Sequence, residues 1–290
     1  IANFNGFLFL VSTSGSKVRY FSIDSFTNEW YFVSIKAICP ETNFEINTLA
    51  TISFAKEAKK MGVKKFIFGS SCSVYDRGFV KRISILDEKD WVLPKTAYSL
   101  SKYKAENSLL EMADSSFCVT VVRKGTVYGY SGRMRYDLVV NTMIKDALSK
   151  GRLNVRGGGI QFRPLISIDD VSRGYLLFLK ADSKKINKNV FNLLSKNYRI
   201  IDVARLVKKG LPGKSNMVIN VSKILEDTRN YKVSNKKIIR VLGFRPAEDI
   251  TSVVKNTITQ IKMNRKDDFD NFNYYNIEWM RRRYEKQKYL

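Results

Sequence analysis

An alternation of short apolar runs with amphipathic helical patterns constrains the fold of this chain more than any other feature of its sequence. The apolar spacing over residues 45–62 predicts a helix, and the run VKKFIFGSS at 63–71 has the length of a buried strand. The pattern then repeats, with a helix predicted at 97–114 and a second apolar run, FCVTVVRKGTVYG, at 117–129. Because strands that are buried on both faces of a sheet read as continuous apolar runs, this alternation predicts an α/β fold with a doubly wound parallel sheet.

Beyond residue 130 the pattern is less regular, and we predict a small C-terminal α/β substrate lobe beside a Rossmann-like sheet. The predicted domains are an amino-terminally incomplete sheet domain at 1–130, a lobe interleaved with it at 131–262, and a charged aromatic tail at 263–290. The tail is expected to be a docked helix or a segment that orders on contact. Further helices are predicted at 137–150, 169–181, 200–211 and 250–262, and further strands at 164–168 and 189–195.

The charge and the cysteine content narrow the classes of partner. The 290 residues carry 51 Lys and Arg against 27 Asp and Glu, a formal net charge of +24, which favours phosphorylated or polyanionic partners. No nucleic-acid motif accompanies the charge, so nucleic acid is a weaker alternative. With no histidine and three scattered cysteines, Cys39, Cys72 and Cys118, we predict no metal site and a cytoplasmic location. No run reaches the roughly 20 apolar residues of a membrane span, so no membrane partner is expected.

One group of polar residues combines the types that acid–base chemistry requires. Ser71 ends the first predicted strand, and Tyr98 and Lys102 lie in YSLSK at the head of the next helix. A spacing of four residues places both side chains on one helical face, where an ammonium favours ionisation of a phenol. A serine hydroxyl at the neighbouring strand end would hydrogen-bond the phenol and a substrate oxygen. These residues predict proton transfer coupled to transfer of a hydride.

Several segments in the right order resemble the NAD(P)-dependent nucleotide-sugar epimerases and dehydratases, which are extended short-chain dehydrogenases/reductases. The resemblance spans about residues 38–262. It rests on FIFGSSCSVY at 66–75, YSLSK at 98–102, VVRKGTVYG at 121–129, RMRYDLVVN at 133–141, GGGIQFRPLISIDDV at 157–171 and DTRNYKVSNKKI at 227–238. It implies a nucleotide-diphosphate sugar as substrate, NAD as cofactor with NADP not excluded, and pairing into a homodimer.

The resemblance also implies a role for each matching residue. The catalytic residues would be Ser71, Tyr98 and Lys102, with Tyr98 taking the proton of a sugar hydroxyl and Lys102 holding the nicotinamide ribose. The residues expected to contact the cofactor are Gly69, Ser70, Ser71, Tyr98, Lys102 and Val127. The residues expected to contact the substrate are Ser71, Thr126, Asn141, Arg163 and Arg229, the two arginines by pairing with the diphosphate.

The chain departs from this family at its amino-terminal end. Relatives begin with a strand and a glycine-rich turn that holds the cofactor pyrophosphate at a helix amino terminus. Here the only glycines before residue 62 are Gly6 and Gly15, in a segment where short strands are predicted at 17–23 and 31–41. Either the chain is a truncated or diverged copy, or this segment builds the cofactor half in another way.

Two main functions therefore remain open. The first is NAD-dependent epimerisation of a nucleotide-diphosphate sugar, similar to that of UDP-glucose 4-epimerase. Dehydratases of the family carry an acidic pair after the catalytic hydroxyl, and Cys72 and Ser73 stand there instead, which favours epimerisation. The second is a catalytically inactive protein that binds a sugar nucleotide or another partner and has lost its cofactor cradle.

Overall fold

The described part of the chain covers most of the predicted sheet domain and lobe. The computed structural model describes residues 10–12, 18–20, 44–76, 83–213, 216–223 and 229–287. The strand predicted at 31–41, Cys39, Gly6 and Gly15 lie outside these residues.

Strands and helices alternate along the described residues. The strands are β1 Leu10–Ser12, β2 Val18–Tyr20, β3 Lys65–Ser71, β4 Ile85–Leu86, β5 Cys118–Lys124, β6 Thr126–Tyr128, β7 Arg152–Val155, β8 Phe162–Ser167, β9 Asn189–Leu193, β10 Lys196–Arg199, β11 Val218–Val221 and β12 Lys232–Val233. The helices are α1 Thr51–Lys60, which continues a π-helical turn at Glu45–Ala50, α2 Ala97–Glu111, α3 Val139–Lys150, α4 Ile168–Lys180, α5 Ser183–Ile186, α6 Ile200–Gly210, α7 Lys236–Leu242, α8 Ile250–Met263 and α9 Asn276–Gln287.

The central sheet has the strand order β2-β1-β3-β5-β9 within the described residues. Strands β3, β5 and β9 run parallel, as predicted, and Ser71 lies level with Lys124 in their register. Strands β1 and β2 differ from the prediction, because they pair antiparallel with each other and β1 is antiparallel to β3. Only residues 13–17 separate β1 from β2, and a connection that short joins antiparallel neighbours, whereas a parallel crossover needs a dozen residues or more.

Helices cover both faces of the parallel strands, which explains their continuous apolar sequence. On one face, Phe66 and Phe68 of β3 pack with Ala55 of α1 and Leu109 of α2. On the other face, Ile67 of β3 joins a cluster that includes residues of α4. The chain therefore has a Rossmann-like α/β fold in which successive β3 side chains enter opposite hydrophobic layers.

The strand predicted at 117–129 is two strands in two different sheets. The chain leaves the central sheet at Gly125, whose N–H donates to the Leu193 carbonyl at 2.9 Å. A Cβ at Gly125 would lie 2.8 Å from the Pro164 carbonyl oxygen, so this close backbone crossing requires glycine. Strand β6 then pairs parallel with β8, which also pairs antiparallel with β10.

The tail docks onto the lobe. The ring of Tyr136 makes edge contacts with Phe269 and Tyr274, whose centroids lie 5.2 and 5.3 Å away. The Tyr136 hydroxyl donates to the Lys266 carbonyl at 2.6 Å. The helix α9 follows this segment.

Candidate active site

Ser71 lies where β3 ends and the chain turns away from the sheet. It caps a 3-10 turn at Cys72–Tyr75, where its hydroxyl accepts the backbone N–H of Ser73 at 3.2 Å. The Ser73 hydroxyl donates to the same oxygen at 2.9 Å. Because the turn is tied to the end of the strand in this way, the Ser71 side chain has a fixed position at the carboxyl edge of the parallel strands.

Helix α2 brings Tyr98 and Lys102 to the same edge. The helix begins with a capping box in which Thr96 and Ser99 exchange hydrogen bonds, so its first turn has a defined start. The half-buried Tyr98 is hydrogen-bonded through its side chain to Ser71. One turn later, the buried Lys102 has its Nζ 6.0 Å from the centroid of the Tyr98 ring and donates to the Gly69 carbonyl at 3.2 Å. The three residues that the sequence singles out are therefore adjacent in space.

Burial dominates the electrostatics of Tyr98 and Lys102. It raises the pKa of Tyr98, while the positive charge of Arg135 and the hydrogen bond from Ser71 act in the opposite direction. Burial also holds the pKa of Lys102 well below its usual range, and the charge of Lys124 lowers it further. The sequence argument expects a depressed tyrosine pKa, and the structure gives the opposite direction, because a spacing of four residues does not reveal how deeply both groups are buried.

A buried ion pair supports the strand end on the side of the sheet that α2 covers. Arg123 of β5 donates to Glu106 of α2 through Nη2 at 2.6 Å, and through Nη1 to the Tyr75 hydroxyl at 2.7 Å. The Ser70 hydroxyl also donates to Glu106. Burial opposes the charge of Arg123, but the interaction with Glu106 outweighs it and raises the guanidinium pKa. The Ser70 side chain thus belongs to this buried network, so the predicted cofactor contact would fall to its backbone.

Glu106 was missed in the sequence, although a signal exists. It follows Lys102 by one helical turn, so the spacing that relates Tyr98 to Lys102 also places Glu106 on that face of α2. The sequence pattern does not supply its partner, since Arg123 comes from a different element.

The predicted substrate residues on the lobe side differ in burial and in hydrogen bonding. Thr126 and Val127 are half-buried on β6. The side-chain amide of Asn141 bonds the backbone of Gly129, accepting its N–H at 3.1 Å, so this residue holds the turn after β6.

The two predicted diphosphate ligands are neighbours. Arg163 of β8 is buried, and its Nη1 donates to the Phe162 carbonyl at 2.9 Å and to the Arg229 carbonyl. The structure thus brings together two arginines that are 66 residues apart in the chain.

The start of the lobe adds a cation that the sequence reasoning did not select. Arg135 binds Asp137 through two contacts of 2.7 and 2.8 Å, and its charge acts on Tyr98. A guanidinium held by a carboxylate in this way keeps a fixed position, so the lobe presents positive charge toward the tyrosine.

Gly69 allows two polar side chains to lie close to the end of β3. A Cβ at this position would lie 2.9 Å from the Tyr175 hydroxyl oxygen and 3.3 Å from Lys124 Nζ. The Tyr175 hydroxyl is buried and has no hydrogen-bond partner among the described residues. The Tyr175 hydroxyl, unpartnered among those residues, and the amine of Lys102 on the two sides of Gly69 are the polar groups that fit the nicotinamide end of a dinucleotide.

The described residues contain neither a metal-binding group nor a membrane-spanning helix. Within the described ranges, no three His, Cys, Asp or Glu side chains are grouped so that they could hold a metal ion. In the same part of the chain, every helix is too short or too polar to cross a membrane.

Comparison with known proteins identifies the family of this chain. The NAD dependent epimerase/dehydratase family matches residues 33–193, more than half of the 290 residues. A UDP-glucose 4-epimerase from Vibrio cholerae is 41% identical over 86 residues, which cover 29% of this chain and 26% of that protein. A UDP-glucuronate 4-epimerase from Thermodesulfobacterium geofontis is 25% identical over 249 residues, which cover 83% of this chain and 69% of the relative.

A solved structure shows the same fold. The crystal structure of a UDP-glucuronic acid 4-epimerase from Bacillus cereus, in complex with UDP-glucuronic acid and NAD, superposes with a TM-score of 0.65 at 23% identity. The superposition covers 76% of this chain and 68% of that one. The chain thus spans about a quarter of one curated relative and about 70% of the other. From the extent of the family match, together with the Ser71, Tyr98 and Lys102 site, the chain belongs to the NAD-dependent epimerase/dehydratase family.

Proposed function

We propose that the protein is an NAD-dependent epimerase of a nucleotide-diphosphate sugar, similar in chemistry to UDP-glucose 4-epimerase. The observation that carries this proposal is the contact of Ser71, Tyr98 and Lys102 at the carboxyl edge of β3 and β5. Three groups that can move a proton, orient an oxygen and hold a ribose lie within one small volume. The named relatives and their bound ligands support the same substrate class.

Tyr98 is the acid and base of the proposed reaction. As a phenolate, Tyr98 would take the proton of the sugar hydroxyl and return it after the sugar has turned over, while Ser71 hydrogen-bonds both oxygens. When bound, a nicotinamide cofactor supplies a hydride acceptor and donor. Burial raises the pKa of Tyr98, so the phenol must lose its own proton to solvent before it can act as a base, and the charge of Arg135 together with the Ser71 hydrogen bond favours the phenolate.

The turn after Ser71 favours epimerisation over dehydration. Dehydration needs an additional acid to protonate the departing hydroxyl, and Cys72 and Ser73 occupy the next positions. The Cys72 thiol is buried, donates to the Arg123 carbonyl at 3.2 Å, and has its pKa raised by burial. It therefore stays uncharged and directed into the protein, which leaves it unsuited to that role.

The arginine pair Arg163 and Arg229 is proposed to bind the diphosphate of the substrate. A planar guanidinium suits phosphate oxygens, and the two residues are neighbours at the β8 side of the lobe. The half-buried Thr126 would contact the sugar from β6.

Two further parts of the proposal concern assembly and location. Leu49 of the π-helical turn before α1 and Leu100 of α2 are 47% and 42% exposed, and Thr48 donates to the Ser101 carbonyl at 2.8 Å between these two elements, which supports pairing of two copies into a homodimer through them. Light scattering of the purified protein tests this, with a mass of about one chain as the contradicting result. A cytoplasmic location stays a prediction.

The activity test is product analysis after incubation with NAD and a panel of UDP-, GDP- and dTDP-sugars. We expect interconversion of two sugars that differ at one carbon, detected by anion-exchange chromatography and by the NMR signals of the anomeric protons. Formation of a 4-keto-6-deoxy product would show that the enzyme is a dehydratase and would contradict the proposed epimerisation. Absence of binding to every sugar nucleotide, in a folded sample, would overturn the substrate class.

A second candidate function is binding of a sugar nucleotide without catalysis. The observation that favours it is the antiparallel pairing of β1 with β3, because a dinucleotide cradle uses a parallel unit beside the strand that carries the site. Calorimetry separates the two functions. Binding of a sugar nucleotide without any binding of NAD or NADP would favour this candidate, and binding of either cofactor would favour the enzyme.

A further inference from the structure

Lys124 is an unusual cation beside the candidate site. It ends β5, level with Ser71, and its side chain points to the face of the sheet opposite the Arg123 and Glu106 pair. Among the described residues, no carboxylate forms an ion pair with Lys124 and no acceptor takes a hydrogen bond from its amine. An amine that is partly buried without a counterion costs free energy, so its presence requires an explanation.

The Lys124 amine lies beside Gly69 of the candidate site. Its Nζ is 3.3 Å from the position a Cβ of Gly69 would take, and 5.9 Å from the centroid of the Tyr175 ring on α4. On the other side of Gly69, Lys102 Nζ donates to the carbonyl oxygen at 3.2 Å. Gly69 is therefore flanked by two lysine amines.

The two amines affect each other. The charge of Lys124 contributes to the lowered pKa of Lys102, which shows that they are close enough to repel. A group held next to Gly69 by Lys102 therefore also experiences the charge of Lys124. The nicotinamide ring exists in two charge states, since the oxidised ring is a cation and the reduced ring is uncharged.

We propose that Lys124 is a second cation of the nicotinamide site and that it favours binding of reduced over oxidised cofactor. This inference rests on the proposed function, because it requires the nicotinamide end to lie at Gly69. Lys124 repels the positively charged oxidised ring and has no such effect on the uncharged reduced ring. The residue thereby biases the bound cofactor toward the form present while the sugar is oxidised, which favours abstraction of the hydride from the sugar.

The charge of Lys124 gives this bias a pH dependence. Burial lowers the pKa of Lys124 to about 8, so it is cationic at pH 7 and becomes neutral above pH 8. The groups beside it are Ser71 of β3, level with it in the sheet, Lys102 of α2, whose pKa burial also lowers, and Tyr175 of α4, whose pKa burial raises. Tyr175 stays neutral through this range, and Lys102 remains in any variant of Lys124, so comparison with such a variant isolates the part due to Lys124. NAD should therefore bind more tightly as pH rises through about 8, while NADH affinity stays level.

The test measures the dissociation constants of NAD and NADH by calorimetry between pH 6.5 and pH 9.5, without substrate or turnover. We compare the wild-type protein with Lys124→Met, which keeps the length of the side chain and removes the amine. At pH 7 the ratio of the NAD constant to the NADH constant should fall about tenfold in Lys124→Met, the size of effect for one nearby charge of partly screened strength. The change in NAD affinity near pH 8 should be lost in the same variant.

The matched control is Lys64→Met, which removes one positive charge from an exposed position at the opposite end of the first parallel strand. It should leave the ratio within twofold of the wild-type value. A ratio that is equally unchanged in Lys124→Met would overturn the inference while leaving the proposed function standing. A wild-type protein that binds neither NAD nor NADH would overturn both. The pH profile of the wild-type protein provides a second arm that needs no variant, and a level NAD affinity across pH 8 would also contradict the inference.

Discussion

Arg123 and Lys124 are consecutive cations on β5, and their environments differ completely. Arg123 is buried and donates three hydrogen bonds of 2.6 to 3.1 Å to the Glu106 carboxylate. Lys124 faces the other side of the strand, and no described carboxylate pairs with it. The comparison shows that neighbouring residues of one strand can have different roles. On one face of β5 the ion pair of Arg123 and Glu106 stabilises the strand end, and on the other face the amine of Lys124 lies beside Gly69 of the candidate site without a described counterion.

The largest effect on stability should come from breaking the satisfied pair. We expect Glu106→Gln to lower the free energy of unfolding by about 3 kcal/mol, because it leaves the Arg123 charge buried without a countercharge. Urea unfolding at pH 7 measures this. The control is Glu111→Gln on the exposed face of the same helix, which should change stability by about 0.5 kcal/mol or less. Equal effects of the two substitutions would contradict the assigned difference in role.

Removing the unsatisfied cation should have the opposite sign. The lowered pKa of Lys124 means that the unfolded chain binds a proton more readily than the folded chain between about pH 8 and the usual lysine value of 10.5. Stability of the wild-type protein should therefore rise, relative to Lys124→Met, as pH increases through this range. We expect a relative gain of about 1 to 2 kcal/mol, with the partial exposure of Lys124 limiting it.

The measurement is urea unfolding of both proteins at pH 7.5, 9 and 10.5. At the lowest pH, Lys124→Met should be as stable as the wild-type protein or more stable. A difference between the proteins that does not change with pH would show that Lys124 is solvated in the folded state.

The smallest effect should come from an ion pair in solvent. Asp202 lies 3.0 Å from both Arg199 and Arg205 on the exposed side of α6. We expect Asp202→Asn to change the free energy of unfolding by about 0.5 kcal/mol or less, because water and salt screen exposed charges. Chemical unfolding at low and high salt checks this. A loss as large as that of Glu106→Gln would show that burial does not explain the contrast.

The elements around the site could be predicted from local pattern. The strand ending at Ser71 and the helix carrying Tyr98 and Lys102 follow from apolar runs and helical spacing, and both are observed. The break at Gly125 could not be predicted, because it depends on the approach of the Pro164 carbonyl from a strand much later in the chain. The direction of the Tyr98 pKa was missed for a similar reason, since burial depends on packing between elements.

The two cations of β5 show the same limit. Their sequence, Arg123 followed by Lys124, indicates that they point to opposite faces of the strand. It does not indicate which face holds Glu106 and which faces the ring of Tyr175, because both partners belong to helices elsewhere in the chain. Sequence spacing therefore locates reactive groups, and packing determines their charge state.

The central claim is that Tyr98, held by Ser71 and flanked by Lys102, is the acid and base of a sugar-nucleotide epimerase. The most direct measurement is kcat with NAD and the best substrate of the panel for the wild-type protein, Tyr98→Phe and the control Tyr103→Phe on the same helix. We predict a loss of about 100-fold or more for Tyr98→Phe at unchanged melting temperature, and a change within threefold for Tyr103→Phe. Turnover by Tyr98→Phe at the wild-type rate would contradict the account.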